Sequence, residues 1–197
     1  MANLVEIRGS IASRIANPVV GLLSKSRLSP NILTLVGLAI NIGAAYLIAL
    51  NHFFLGGVLV LVSGLFDLLD GALARFAKQT TKFGAVLDST VDRISEAAIL
   101  CGLLIWYMWR GATLEVVLVF AVLIGSFLVS YIRARAEGLG LECKVGLFTR
   151  AERVIVLAIG LFLNQVFIAL WVLAVFVYIT VAQRLFYLQK REKSGGG

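Results

Sequence analysis

Four aspartates carry the chemistry this sequence offers. Asp67 and Asp70 stand three residues apart and lead into Gly71, Ala74 and Arg75, while Gly84, Asp88 and Asp92 follow at intervals of four. On helices, Asp67, Asp70, Gly71, Ala74 and Arg75 share one stripe, and Gly84, Asp88 and Asp92 share another. Only a short connection, 76–83, separates the stripes, so the two helices are antiparallel neighbours whose stripes can face each other. Up to four carboxylates then converge. Hard divalent cations take oxygen ligands, and Mg²⁺ commonly binds a few carboxylates together with substrate phosphates. Two such ions can clamp both sides of an in-line phosphoryl transfer. Gly71 and Ala74 leave room for a ligand to approach the backbone, and Arg75 can take a phosphate through two parallel hydrogen bonds.

The setting of these acids sharpens the reading. Of the 197 residues, 60% are hydrophobic and 15% charged, with a mean hydropathy of +0.95. A soluble domain carries about 25% charged residues, and here the apolar residues fill most of the chain instead of one leader-like block. The composition is that of an integral membrane protein of one domain. A carboxylate at the centre of a spanning helix costs roughly 2.5–3.5 kcal/mol, so four of them uncompensated would cost on the order of 10 kcal/mol. A cation must sit among them. Pairing with Arg75, Arg93 and other basic residues as packing contacts is one way to supply it, but intramembrane acids at regular spacing, interleaved with small residues, point to function.

The elements that position the acids follow from hydropathy. Residues 4–23 place Leu4, Ile7, Ile11, Ile15, Val19 and Leu22 at helical spacing among polar residues, an amphipathic helix suited to the membrane surface. Ser29-Pro30 caps and opens a first span over about 31–50. Further spans are expected at about 53–75, 84–106 and 113–133. The stretch 154–187 is too long for one span and short for two, and Asn164-Gln165 marks a tight turn within it. A fifth span must therefore begin near Gly146 or Arg150, with a sixth at about 166–187. The fold class is thus all-α: six transmembrane helices with an N-terminal amphipathic juxtamembrane helix, divided as 1–28, 29–190 and a flexible tail 191–197. The net charge is +7, and the basic residues, with Arg110 as the exception, gather on one side of this arrangement. By the bias of Lys and Arg toward cytoplasmic loops, both termini and the aspartates face the cytoplasm across a multi-pass cell-membrane protein. Cys101 falls mid-span and Cys143 in a basic loop, so two free thiols are expected.

From Asp67 to Asp92, the pattern Asp-x2-Asp-Gly-x2-Ala-Arg-x8-Gly-x3-Asp-x3-Asp resembles the signature of the CDP-alcohol phosphotransferases at every defined position. The resemblance implies an enzyme that moves a phosphatidyl group from CDP-diacylglycerol to an alcohol and releases CMP. It implies Asp67, Asp70, Asp88 and Asp92 as ligands of Mg²⁺ or Mn²⁺, two ions in all, with Asp92 as general base. Asp70, Gly71, Ala74, Arg75 and Gly84 would shape the CDP site. Asn31 and Thr34, in the family-like Leu28-Ser29-Pro30-Asn31-x2-Thr34 stretch, would contribute to it, as would Thr81.

The acceptor is addressed by a second stretch, Ser130 to Leu141 followed by Val145 to Arg153. Arg133 and Arg135 close the fourth span, and Arg150 and Arg153 open the fifth. Guanidiniums beside a carboxylate site suit an acceptor that itself carries phosphate, although basic loops also arise from topology and lipid headgroups alone. The stretch resembles the prokaryotic phosphatidylinositol phosphate synthases, which use inositol 1-phosphate, and their archaeal counterparts, which use CDP-archaeol. It departs from many relatives in having Ala151 where they have Pro. Ser130, Arg133, Arg135 and Arg153 are expected to bind the acceptor phosphate. Phosphatidylglycerophosphate synthases, which take glycerol 3-phosphate, are the alternative within the family. A divalent-cation transporter is the alternative outside it, although transport sites favour the midplane between repeated halves and no repeat is visible. A homodimer is implied by the resemblance, with Gly102, Gly125 and Ser126 permitting close helix packing. Lipid and small polar substrates are the expected partners; nucleic acid is not.

Overall fold

The computed structural model describes residues 30–76, 81–143 and 145–195, and within these the side chains of 30, 68, 70–76 and 192–195 lie outside the description. The expected amphipathic helix at 1–28 also lies outside it. Six helices follow in order: α1 (Pro30–Ala49), α2 (Phe53–Phe76), α3 (Lys82–Trp109), α4 (Thr113–Gly138), α5 (Arg150–Phe162) and α6 (Val166–Gly195). No strand occurs among the described residues.

The boundaries follow local chemistry. Pro30 opens α1, where its missing N–H is no loss. Asn51, with φ 68°, turns the chain from α1 into α2. Thr81 caps α3, its hydroxyl accepting from the Gly84 N–H at 2.9 Å. Gly111, with φ 66°, takes the left-handed turn after α3 that a side chain would resist. Arg110 beside it lays its guanidinium over the Trp106 ring at 4.8 Å. Thr149 and Glu152 form a reciprocal capping box that starts α5 at Arg150, where the sequence requires a helix to begin. Asn164, with φ 53°, makes the turn into α6.

The described residues form six helices, but these are unequal, and three and not six of them are long and apolar enough to count as spans. α1, α4 and α6 contain segments long and apolar enough to cross a membrane, and α2 contributes the shorter apolar stretch Phe53–Asp67. α5 has 13 residues, about 20 Å of helix against a hydrocarbon core of about 30 Å. The physical reason is its composition: Arg150, Glu152 and Arg153 occupy its first turn and hold that end at the polar level of the molecule. α6 continues to Gly195, through most of the segment read as a tail.

α1 packs against both α2 and α3, α3 against α4, α4 against α6, and α5 against α2 and α6. Ile48, Leu100, Leu103, Val119, Val122, Leu161, Leu170, Leu173 and Val177 fill the centre and are almost fully buried. Large apolar side chains also face outward, with Tyr46 66% and Phe186 70% exposed, the distribution expected when the surrounding solvent is lipid. Small residues bring helices together. A Cβ on Gly102 would collide with the Ala45 backbone of α1, and one on Gly125 would lie 2.5 Å from Val177 Cγ1 of α6. Ser126 is buried. All three are thus used within one chain, because closely approaching helices inside the bundle need them first. Both cysteines are free thiols, Cys101 exposed and Cys143 buried.

Because successive helices run in opposite directions, one end of the bundle collects the start of α1, the end of α2, the start of α3, the end of α4, the start of α5 and the end of α6. The candidate metal, nucleotide and acceptor residues all belong to these helix ends.

Candidate active site

Asp67 lies on α2 and Asp92 on α3, and both are partly buried. The two carboxylates meet at one atom. Nη1 of Arg150, at the start of α5, lies 2.6 Å from Asp67 Oδ2 and 2.6 Å from Asp92 Oδ1. Asp88, one turn before Asp92 and partly buried, is close enough to Asp67 for their charges to repel. Asp67 and Asp92 therefore approach one another from α2 and α3, which both pack against α1, and a cation sits between them. That cation comes from α5. Arg93 instead donates to the Ser89 carbonyl of its own helix, and Arg75 lies outside the described side chains.

Position 37 on α1 brings the floor of the site close to Asp67: a Cβ there would stand 3.5 Å from Asp67 Oδ1. Below it, Asn41 donates to Ser63 Oγ at 2.6 Å, and Ser63 donates to the Gly37 carbonyl at 3.0 Å. Asn41 and Ser63, with Asp67, Ser95, Glu96 and Arg150, border a small cavity of 30 Å³ whose lining is mostly apolar, with Val60, Ile99, Leu100, Val122 and Leu157 among it. The polar chain thus holds α1 and α2 in register beneath the acids without leaving a donor unmade.

The residues expected around the nucleotide divide in two. Asn31, Thr81 and Gly84 come together: a Cβ on Gly84 would lie 2.9 Å from Thr81 Oγ1 and 3.4 Å from Asn31 Oδ1. Thr34, one turn further along α1, is buried at 5% exposure. Any side chain at 84 would push into this polar corner, which accounts for glycine there. Asp70, Gly71, Ala74 and Arg75 have backbone on the last turns of α2, and their side chains lie outside the description.

The expected acceptor residues gather around a second, larger cavity of 750 Å³. Asp92, Ser130, Arg133, Arg150, Arg153 and Arg184 are among the residues that line it. Arg153 is 4% exposed and forms a two-pronged pair with Glu96 of α3, Nε to Oε1 at 2.6 Å and Nη2 to Oε2 at 2.8 Å. Arg133 pairs with Glu137 one turn along α4 at 2.8 Å, both side chains more than half exposed, a contact worth little in stability and easily opened. Arg135, on the same helix, is exposed and stands off the lining.

Three residues at this end were not among the expected site set. Arg150 was noted only as one of the arginines opening the fifth span, yet it is the one that touches two aspartates. Glu96 continues the Gly84, Asp88, Asp92 spacing by one more step of four, a signal readable from the periodicity. Arg184 is 4% exposed near the end of α6, with Nε donating to the Val145 carbonyl at 3.0 Å and Nη1 donating to the Val129 carbonyl. It ties α4, α6 and the 139–149 connection to one another, and Phe148 N–H donating to Thr180 Oγ1 at 3.2 Å adds to that tie. Nothing in its sequence neighbourhood separates it from a topological arginine.

Among the described residues no three acidic, histidine or cysteine side chains come together closely enough to hold a metal ion. Asp67 and Asp92 come from two helices and gather one positive group, Arg150, between them, and carboxylates are the ligand type that hard divalent cations take. Residues 27–184 match the family model of CDP-alcohol phosphatidyltransferases. The chain is 39% identical over 183 residues to the phosphatidylinositol phosphate synthase of Mycobacteroides abscessus, covering 88% of this chain and 83% of that one. It is 38% identical over 174 residues to the archaetidylinositol phosphate synthase of Pyrococcus horikoshii, covering 88% and 90%. The fold superposes on the phosphatidylinositol phosphate synthase of Mycobacterium tuberculosis with CDP-DAG bound, with a TM-score of 0.79 at 37% identity over 88% of this chain and 92% of that one. The same enzyme in complex with manganese and citrate also gives a TM-score of 0.79 at 37% identity, over 86% of each chain. Carboxylates facing across two membrane helices, a basic cavity beside them and these likenesses lead to one conclusion: the chain belongs to the CDP-alcohol phosphatidyltransferase family and is a membrane enzyme of phospholipid biosynthesis.

Proposed function

We propose that this enzyme transfers a phosphatidyl group, or its archaeal ether-lipid equivalent, from the CDP-linked lipid to inositol 1-phosphate, releasing CMP at the cytoplasmic face. The observation that carries the reading is the meeting of Asp67 and Asp92 at Arg150, with Asp92 and Arg150 in the wall of a 750 Å³ cavity that Arg133, Arg153 and Arg184 also line. Acids and guanidiniums lie side by side there, as a phosphorylated acceptor attacking a diphosphate would need.

Asp67, Asp70, Asp88 and Asp92 would hold the divalent ions, Mg²⁺ or Mn²⁺, two in number. When bound, the ions supply positive charge to the diphosphate and to the leaving phosphate of CMP. The chain's own residues do the rest. Asn31, Thr34, Thr81 and Gly84, with Asp70, Gly71, Ala74 and Arg75, would seat the cytidine diphosphate. Ser130, Arg133 and Arg153, which line the large cavity, would seat the acceptor's phosphate, with Arg184 behind them; Arg135, off the lining, would act only through its charge. Asp92, on the wall between the two sites, would take the acceptor's hydroxyl proton. The freed oxygen forms a bond to the β-phosphorus while the bond to the bridging oxygen breaks, and CMP leaves with that electron pair. The donor's acyl chains would stay in lipid, which the outward-facing apolar residues accommodate.

Family membership leaves no need for a cation-transport reading of the aspartates. It does leave glycerol 3-phosphate as an acceptor, since the arginines read phosphate and not the polyol. CMP release by the purified enzyme, supplied with CDP-diacylglycerol, Mg²⁺ and either inositol 1-phosphate, glycerol 3-phosphate or free inositol, separates the cases. Release with inositol 1-phosphate alone is expected. Release with glycerol 3-phosphate and not inositol 1-phosphate would overturn the acceptor assignment.

A further inference from the structure

Arg150 spends its charge in an unusual place. One nitrogen, Nη1, serves carboxylates from two different helices at 2.6 Å each. Its Nε is buried and makes no hydrogen bond, so the guanidinium is held by ion pairing with the acids and not by a full donor network. Asp88 and Glu96 add further negative charge around the same two groups. Arg150 enters from the first turn of α5, whose start is fixed by the Thr149–Glu152 capping box. It borders both the small, mostly apolar cavity beneath the acids and the large basic cavity beside them.

Two partly buried carboxylates cannot face each other uncompensated without repulsion or protonation. A side-chain cation solves that problem in the metal-free protein. It also occupies oxygen atoms that a divalent ion would need. Asp67 Oδ2 and Asp92 Oδ1 cannot hold the guanidinium at 2.6 Å and a metal ion at about 2.1 Å in the same direction. The large cavity offers the guanidinium somewhere else to go, since Arg150 already lines it.

We infer that Arg150 is a built-in, displaceable counter-ion: it holds the Asp67 and Asp92 carboxylates together before metal binds, and metal loading drives its guanidinium off them toward the cavity lined by Arg133, Arg153 and Arg184. This rests on the metal-binding reading of the aspartates. Arg150 is thereby a positioning residue that acts through the acids. Two consequences follow by linkage. Arg150 weakens metal affinity by the strength of the ion pairs that must be broken, and metal loading increases the positive charge facing the acceptor's phosphate.

The test is Mn²⁺ binding to the detergent-solubilised enzyme, followed by electron paramagnetic resonance of free Mn²⁺, with neither donor nor acceptor present. Arg150→Gln is expected to bind Mn²⁺ at least about fivefold more tightly than wild type, the lower end of ordinary coupling between sites. Its metal-free form should melt at a lower temperature, with the loss reduced in saturating Mn²⁺. Arg150→Lys, which keeps the charge without the planar fork, should fall between the two. Unchanged or weaker Mn²⁺ binding by Arg150→Gln, with wild type binding normally, overturns the inference and leaves the metal reading standing. No Mn²⁺ binding by wild type overturns both. A measurement on the wild type covers the case in which Arg150→Gln does not fold: phenylglyoxal labelling of Arg150, mapped by mass spectrometry. Labelling should accelerate in saturating Mn²⁺, and an equal or slower rate refutes displacement.

Discussion

The proposed chemistry puts two demands on Asp92 at once, metal ligand and proton acceptor. Asp92 sits on α3 opposite Asp67, yet it also lines the cavity beside Ser130 and Arg133. Asp92→Asn keeps the shape and an oxygen ligand but removes the base. Turnover is expected to fall by about 10²–10⁴-fold, the range for losing general base catalysis, while the KM for the CDP-lipid changes by a few fold at most. Steady-state kinetics with CDP-diacylglycerol varied at saturating acceptor decides this, and turnover close to wild type would remove Asp92 as the base. At this scale the sequence was most informative. The spacing of Asp88 and Asp92 put them on one face of α3 because helical periodicity depends on local order alone. The partner of the acids was not legible, because Arg150 reaches them from a helix more than fifty residues further along the chain and no local pattern encodes that contact.

The helices that matter most to the site are the ones the pattern defined least. α1, α4 and α6 announce themselves by long apolar runs. α5 does not, because 13 residues with three charges in the first turn look like neither a span nor a loop. Its length was nevertheless bounded by Asn164-Gln165 behind and by the need for a helix start near Arg150, and the Thr149–Glu152 capping box supplies that start. Beside the Arg150–Asp92 contact, α5 is joined to α3 by the Glu96–Arg153 pair, with Glu96 14% and Arg153 4% exposed. Removing one partner of a buried pair costs about 3–5 kcal/mol because the other charge is stranded. Glu96→Gln is therefore expected to lower the melting temperature of the detergent-solubilised enzyme. It is also expected to raise the acceptor KM more than it lowers kcat, since Arg153 loses the fork that aims it at the cavity. A fall in kcat at unchanged acceptor KM would assign Glu96 to the chemistry and not to the orientation of Arg153.

Across the whole molecule, function follows from which end of the bundle holds the charge. Six alternating helices bring the ends of α2, α4 and α6 and the starts of α1, α3 and α5 to one level, and the acids, the arginines and both cavities lie there. The apolar exterior lets a lipid-linked substrate present its headgroup to that level while its chains remain in the bilayer. The small residues expected to mark a dimer face, Gly102, Gly125 and Ser126, are spent on packing inside the chain. The sidedness of the basic residues was legible because the bias acts on composition. The packing roles of the glycines were not, since a small residue reads the same whether its neighbour is in the same chain or in another. Treatment with EDTA should abolish CMP release and added Mn²⁺ should restore it; activity that survives chelation would contradict any account built on these carboxylates.

The account stands on the acids of α2 and α3 gathering divalent ions where the CDP-lipid is cut. Anomalous X-ray scattering from crystals grown with Mn²⁺ and CDP tests this most directly. Peaks are predicted between the two helices, within about 2.3 Å of carboxylate oxygens of Asp67 and Asp88. Ordered carboxylates with no anomalous density between them, or Mn²⁺ held elsewhere on the protein, would contradict it.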